Sequence, residues 1–309
     1  MKIRFWGVRG SIPCPGPATV KYGGNTPCIE LRLEDSRRTV IIDAGSGIRD
    51  LGNLMMVRDL PEGPIRADLF LTHTHWDHIM GFPFFTPVYV PGTKLNIYGP
   101  ATYEEETMRD VMGGQMAYRY FPVRWTDLAA DIRYFDLKEE RIDLGGGLLV
   151  SSIYLNHPVL SLGYRFERAG AVLCTVFDTE PFRNIFSTDP LDSSYSEEMA
   201  AEGEAVAKEQ NERLEAFFHG ADFLIHDAQY TGEEYSQGKT GWGHSPMEHA
   251  IQTAGRAGVK RLALFHHDPM RTDAELDALA VTLCTPGTAE SPEVVFAREG
   301  MEIDIGRCA

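Results

Sequence analysis

Paired cysteines are missing from this chain. Its five cysteines, Cys14, Cys28, Cys174, Cys284 and Cys308, stand singly and never in a CxxC spacing. That argues against a disulfide framework and against a thiolate zinc site, so a reducing, cytoplasmic setting is expected. Long apolar runs are missing too. No stretch approaches the roughly 18 apolar residues of a membrane span. The opening Met1–Trp6 is broken by Lys2 and Arg4, which leaves no signal-peptide core. Positive charge is scarce: 29 Lys and Arg face 45 Asp and Glu, a net charge of −16. An acidic surface repels a polyphosphate backbone, so long nucleic acid is not an expected partner. A small phosphate could still enter a local basic pocket. Repeats and low-complexity linkers are also lacking, and residues 1–309 read as one domain.

What the chain does have is concentrated. Three of its ten histidines lie in His73-Thr74-His75-Trp76-Asp77-His78, directly after the apolar run Asp68–Thr72. Imidazole nitrogen and carboxylate oxygen suit borderline ions such as Zn²⁺. In an extended segment alternate residues share a face, so His73 and His75 can close on one ion. Asp77 and His78 follow a turn and face a second point. From spacing alone this is a one- or two-metal site.

Elsewhere, apolar strands repeatedly end in a polar, ligand-type residue: Asp43, His73, His157, Asp178, Asp227 and His266. Such residues at one end of a sheet framework converge on one cleft. Helices are expected over Ile48–Val57, Thr102–Val111, Glu197–Phe218, Met247–Ala257 and Asp273–Leu283, with a turn at Glu34–Arg37. Glycines in Gly7-Val8-Arg9-Gly10-Ser11 and Gly23-Gly24-Asn25-Thr26 would let backbone amides approach an anion, which makes Arg9, Asn25 and Thr26 candidate substrate contacts. The aromatic, basic segment Gly113–Trp125 reads as a lid, a substrate wall or a homodimer contact. An α/β domain of two stacked sheets with helices outside accounts for the pattern.

HTHWDH, a distant histidine, an aspartate after an apolar strand and a late histidine together resemble the metallo-β-lactamase superfamily. The segments VFDTEP, ADFLIHDAQY, GWGHSP and LALFHHDP are similar to motifs of its ribonuclease Z and phosphoribosyl cyclic phosphodiesterase branch. That resemblance implies a four-layer αββα sandwich of two mixed sheets. It assigns His73, His75 and His157 to one metal and Asp77, His78 and His266 to a second. Asp178 would bridge them, and Asp43 would hold a ligand imidazole. His266 is preferred to His267 because it follows the apolar pair Leu264-Phe265. Two divalent ions are implied, Zn²⁺ first and Mn²⁺ second. Asp77 would hold the proton of a hydroxide between them, and His244, oriented by Asp227, would protonate the leaving alkoxide.

The chain also departs from that branch. Ribonuclease Z carries a long arm for transfer RNA between its middle histidine and bridging aspartate. Here His157 and Asp178 are too close for one, with only a hairpin between them. The cysteine-containing zinc site of the phosphoribosyl enzymes has no counterpart. The expected activity is hydrolysis of a small phosphodiester, such as a cyclic nucleotide or cyclic phosphate. Lactone or thioester hydrolysis is the alternative chemistry, and a non-catalytic metal-binding scaffold the alternative class. An oxygen-reducing di-iron activity fits less well, because His75 stands where such proteins tend to carry glutamate.

Overall fold

The computed structural model describes residues 1–33, 36–101, 107–288 and 291–306. Among the described residues, fourteen strands form two sheets. The first contains β1 (Lys2–Gly7), β2 (Cys28–Arg32), β3 (Arg38–Ile42), β4 (Arg66–Phe70), β5 (Lys94–Pro100), β6 (Asp131–Leu137) and, across the edge, β14 (Glu302–Asp304). Its order is β14-β1-β2-β3-β4-β5-β6. The second contains β7 (Arg141–Asp143), β8 (Leu149–Tyr154), β9 (Leu162–Arg168), β10 (Ala171–Val176), β11 (Phe223–Asp227), β12 (Arg261–Phe265) and β13 (Glu293–Phe296). Its order is β13-β12-β11-β10-β9-β8-β7. Each sheet is mixed in the same way. Its half nearer one edge is antiparallel, and the strands from β3 to β6, or from β10 to β13, are parallel.

Apolar residues build three separate cores, which is what four layers require. Ile3, Phe5, Val40, Phe70, Tyr164, Phe166, Ile225 and Phe265 pack between the sheets. Beneath the first sheet, α1 (Ile48–Arg58) and α3 (Met108–Gly114) supply Ile48, Leu51, Met55, Met108 and Met112. The one-turn α2 (Trp76–Ile79) lies between them in sequence. On the outer face of the second sheet, α4 (Glu197–Phe217), α6 (Met247–Arg256) and α7 (Asp273–Leu283) bury Leu214, Met247, Ala250, Ala254 and Leu276. A short α5 (Gly232–Glu234) precedes the loop that leads to α6. The sandwich is therefore the expected αββα arrangement.

Helix starts follow local chemistry. Ser196 and Thr272 cap α4 and α7 through side-chain oxygens, and Glu275 completes a capping box on α7. The expected helix Thr102–Val111 begins only at Met108. Thr107 accepts the Asp110 amide and sets that start, while residues 102–106 lie outside the described ones. The expected turn at Glu34–Arg37 likewise falls partly outside them. Strand β8 ends at Tyr154, short of His157, and the intervening loop carries that histidine to the cleft. No helix among the described residues is long and apolar enough to cross a membrane.

Candidate metal centre

The strands of both sheets deliver polar groups to one edge. Asp43 follows β3, His73 and His75 follow β4, Asp178 follows β10, and His266 follows β12. Turning the chain sharply there has a conformational cost. Asp43, Asp178 and His266 hold left-handed backbone angles, φ 60°, 37° and 63°. Few non-glycine residues adopt that region, and such strain collects at functional sites.

Two ligand-type clusters result, and they share one carboxylate. In the first, His157 Nε2 stands 3.1 Å from His75 Nδ1. Asp178 Oδ2 lies 3.5 Å from His73 Nε2 and 3.9 Å from His157 Nε2. In the second, Asp178 Oδ1 lies 3.2 Å from both His78 Nε2 and His266 Nε2. Asp77 Oδ2 completes it, 3.4 Å from His78 Nε2 and 3.2 Å from His266 Nε2. Ligands about 2.0–2.2 Å from a tetrahedral ion stand about 3.3–3.6 Å from one another, so both clusters have the spacing of coordination shells. Among the described residues, buried His73 Nε2 and Asp178 Oδ1 have no hydrogen-bond partner, as atoms reserved for a cation would.

The electrostatics agree with that use. Burial lowers the pKa of His73 and of His75, and takes His157 down to about 4. These rings are neutral near pH 7, with lone pairs free to ligate. Burial opposes charge on Asp77 and Asp178, yet the surrounding histidines outweigh it and hold both carboxyls below the usual range. Burial also opposes a proton on His78, but Asp178, Asp77 and Asp43 overcome it and raise its pKa. The second cluster thus attracts positive charge.

Among the described residues, the nitrogen of each ligand-type ring that faces away from the clusters is engaged, except that of His75. His78 Nδ1 donates to Asp43 Oδ2 at 2.7 Å. His73 Nδ1 meets Thr72 Oγ at 3.1 Å, and Thr72 in turn donates to Asp43 at 2.9 Å. His157 Nδ1 donates to the carbonyl of Gly243 at 2.9 Å, and His266 Nδ1 to Gln229 Oε1 at 3.2 Å. These bonds fix the tautomers and aim the opposite nitrogens inward. Thr72 and Gln229 were not singled out from sequence. Only the position of Thr72, one residue before His73, hinted at such a role. His267 points away and bonds the carbonyl of Ala297 at 2.8 Å, which leaves His266 as the cluster member.

His244 stands at the rim, its ring stacked on that of His266 at 4.9 Å. Its Nδ1 donates to Asp227 Oδ2 at 2.9 Å. The carboxylate is held in turn by the backbone amides of Thr179 and Gln229. Burial works against a charge on His244, but Asp227 outweighs it and lifts the imidazole to about 9.

The three expected substrate contacts are placed otherwise. Arg9 is wholly buried; it donates to the carbonyls of Gly23 (2.8 Å), Asp268 (3.2 Å) and Arg271 (2.6 Å). The Asn25 side chain donates to Glu299 and accepts from Ser46, while buried Thr26 exchanges hydrogen bonds with Ser46. All three are internal braces. The nearby glycines permit close backbone packing rather than anion binding. A Cβ on Gly7 would lie 1.8 Å from the carbonyl oxygen of Thr26, and one on Gly10 would lie 2.4 Å from the His266 ring. The loop does offer one amide to an anion, but that anion is the protein's own: Ser11 N–H donates to Asp77 Oδ2 at 2.7 Å.

Comparison with known proteins gives the same outline. Residues 23–201 match the family described as the metallo-beta-lactamase superfamily. Ribonuclease Z of Lactococcus lactis is 26% identical over 296 residues, covering 86% of this chain and 88% of that protein. Among solved structures, the metallo-beta-lactamase fold protein YhfI of Bacillus subtilis superposes with a TM-score of 0.64 at 19% identity, covering 98% and 99% of the two chains. A diphosphatase of the PhnP family superposes with a TM-score of 0.64 at 16% identity, covering 99% and 98%. At such identities the structural likeness is one of fold.

Proposed function

The chain belongs to the metallo-beta-lactamase superfamily and is a metal-dependent hydrolase, and we propose that it cleaves small phosphodiesters on a two-metal centre. The observation that carries this is the division of Asp178, one oxygen toward each cluster. His73, His75 and His157 would hold one divalent ion, Asp77, His78 and His266 the other, with Asp178 shared; Zn²⁺ suits the N/O donor set and Mn²⁺ is the second choice. Bound there, the ions would lower the pKa of a water and draw charge from the phosphoryl oxygens.

The protein's own groups do the rest. Asp77 Oδ2, fixed by the Ser11 amide, is directed into the centre, where it would hold the nucleophile's proton by a hydrogen bond. His244 is lifted by Asp227, remains protonated through neutral pH, and gives its proton to the departing alkoxide oxygen. The thiolate leaving group of a thioester departs unprotonated and has less need of that donor, so a protonated histidine at the rim favours an ester with an alkoxide leaving group, as an alkyl phosphodiester has.

RNA is a second reading, favoured by the names of the ribonuclease Z relatives. Against it stand the net charge of −16 and the interval from His157 to Asp178, which the β9–β10 hairpin fills. The deciding experiment is a substrate panel on metal-loaded protein: an alkyl cyclic phosphate, cyclic AMP, a lactone, a thioester and a precursor transfer RNA. Turnover of the cyclic phosphates at rates far above the other three is expected. Turnover of the lactone or the RNA without the cyclic phosphates would overturn the reading. Two bound metals with no hydrolysis of any substrate would point to a scaffold.

A further inference from the structure

Two residues of the histidine motif take no part in either cluster. Thr74 and Trp76 alternate with His73, His75 and Asp77, and both face a groove of about 570 Å³ outside the centre. Trp76 is 76% exposed, an unusual state for an indole. Phe84 and Tyr120, 54% and 72% exposed, line the same groove, as do Met80 and Gln115. Phe121 packs edge-on against Phe84, with centroids 5.4 Å apart, and steadies it. Exposed apolar surface concentrated in one concavity marks a binding site rather than ordinary surface scatter.

We propose that this groove holds the nucleobase of a nucleoside phosphodiester while its phosphate lies on the metal centre; this rests on the phosphodiesterase reading above. Three features select that occupant. The volume is that of a small-molecule site. Thr74 and Trp76 lie in the chain between His73, His75 and Asp77, so the groove adjoins the segment that carries ligand-type residues of both clusters. The lining combines open aromatic faces, on which any base stacks, with a few polar groups able to meet a base edge. The Gln115 amide is one of these, since among the described residues its partner is only the Met112 sulfur at 3.8 Å. Charge also fits. In an acidic chain the adjoining segment places Arg119 over the Tyr120 ring and Arg124 over that of Tyr118, each at 5.5 Å. The segment Gly113–Trp125 is on this reading a substrate wall.

The test compares cyclic AMP with glycerol cyclic phosphate, which has the same type of ester and no base. The readout is the ratio of their kcat/KM values in the wild type, Trp76→Ala, Trp76→Phe and Phe84→Ala. The wild type is expected to prefer cyclic AMP. Each alanine variant is expected to lower that preference about tenfold through KM, and Trp76→Phe to keep most of it. Equal losses on both substrates, or no loss on either, would overturn the proposal. A parallel measurement is binding of AMP to chelator-treated protein by calorimetry. Binding that is lost in Trp76→Ala supports the groove even if no diester is hydrolysed, so the two readings can fail separately. A wild-type dimer that Trp76→Ala dissociates, with the substrate ratio unmoved, would make the groove an interface between copies and overturn the proposal.

Discussion

Thr72 Oγ lies 2.9 Å from Asp43 Oδ2, and through that contact one carboxylate steers a histidine of each metal set. Asp43 holds His78 directly and His73 by way of the threonine hydroxyl. Thr72→Val keeps the shape and removes the relay. Metal affinity is expected to fall about tenfold, with one ion released before the other; Asp43→Ala should cost more and weaken both. Competition with a chelating dye, read as two separate stoichiometric steps, measures this. Unchanged affinity in Asp43→Ala would show that the imidazoles need no such support.

His244→Ala is expected to separate leaving groups. An alkoxide needs a proton, whereas p-nitrophenolate departs without one. Turnover of an alkyl diester should fall about 10²–10⁴-fold, and that of bis-p-nitrophenyl phosphate much less. Equal losses on both would place His244 in binding rather than proton donation.

Asp227 raises the pKa of His244, so its removal has a definite sign. An acid fails as pH rises through its pKa. In Asp227→Asn that pKa drops, and the alkaline limb of the kcat/KM profile for an alkyl diester should move to lower pH. A limb that stays in place would assign it to another group.

Gly10→Ala tests the fit around His266. The backbone there is ordinary, but the new methyl would lie 2.4–3.0 Å from the imidazole. About 1–3 kcal/mol of stability should be lost to overpacking, together with metal at the second cluster. Thermal unfolding of the metal-loaded and chelated forms distinguishes the two effects, because displacement of the ligand narrows the gap between them.

The HTHWDH motif and the strand-terminal residues were readable because a polar residue after a buried strand has few structural reasons to be there. Spacing alone left one metal or two open, and the pairing into two clusters rested on the resemblance to the metallo-β-lactamase superfamily. The parts that were not legible share a cause. Arg9, Asn25 and Thr26 have the composition of an anion site, yet whether a guanidinium faces a cleft or a set of buried carbonyls depends on how Gly23, Asp268 and Arg271 close around it. Thr72 and Gln229 are commonplace residue types, and only the folded position of an imidazole gives them a task. Trp76 was visible, but its groove is assembled from Phe84 and Tyr120, which sequence spacing does not bring together.

The shared carboxylate has a mechanical meaning as well. His73, His75, Asp77 and His78 extend from the first sheet, while His157, Asp178 and His266 extend from the second. Ions bound among them would rivet one sheet to the other at their common edge. In a chain whose described cysteines are all free, those rivets take the place of covalent cross-links. The sandwich should therefore resist splaying at that edge when loaded and breathe there when stripped, and amide exchange beside β4 and β10 should quicken under chelation before exchange elsewhere does.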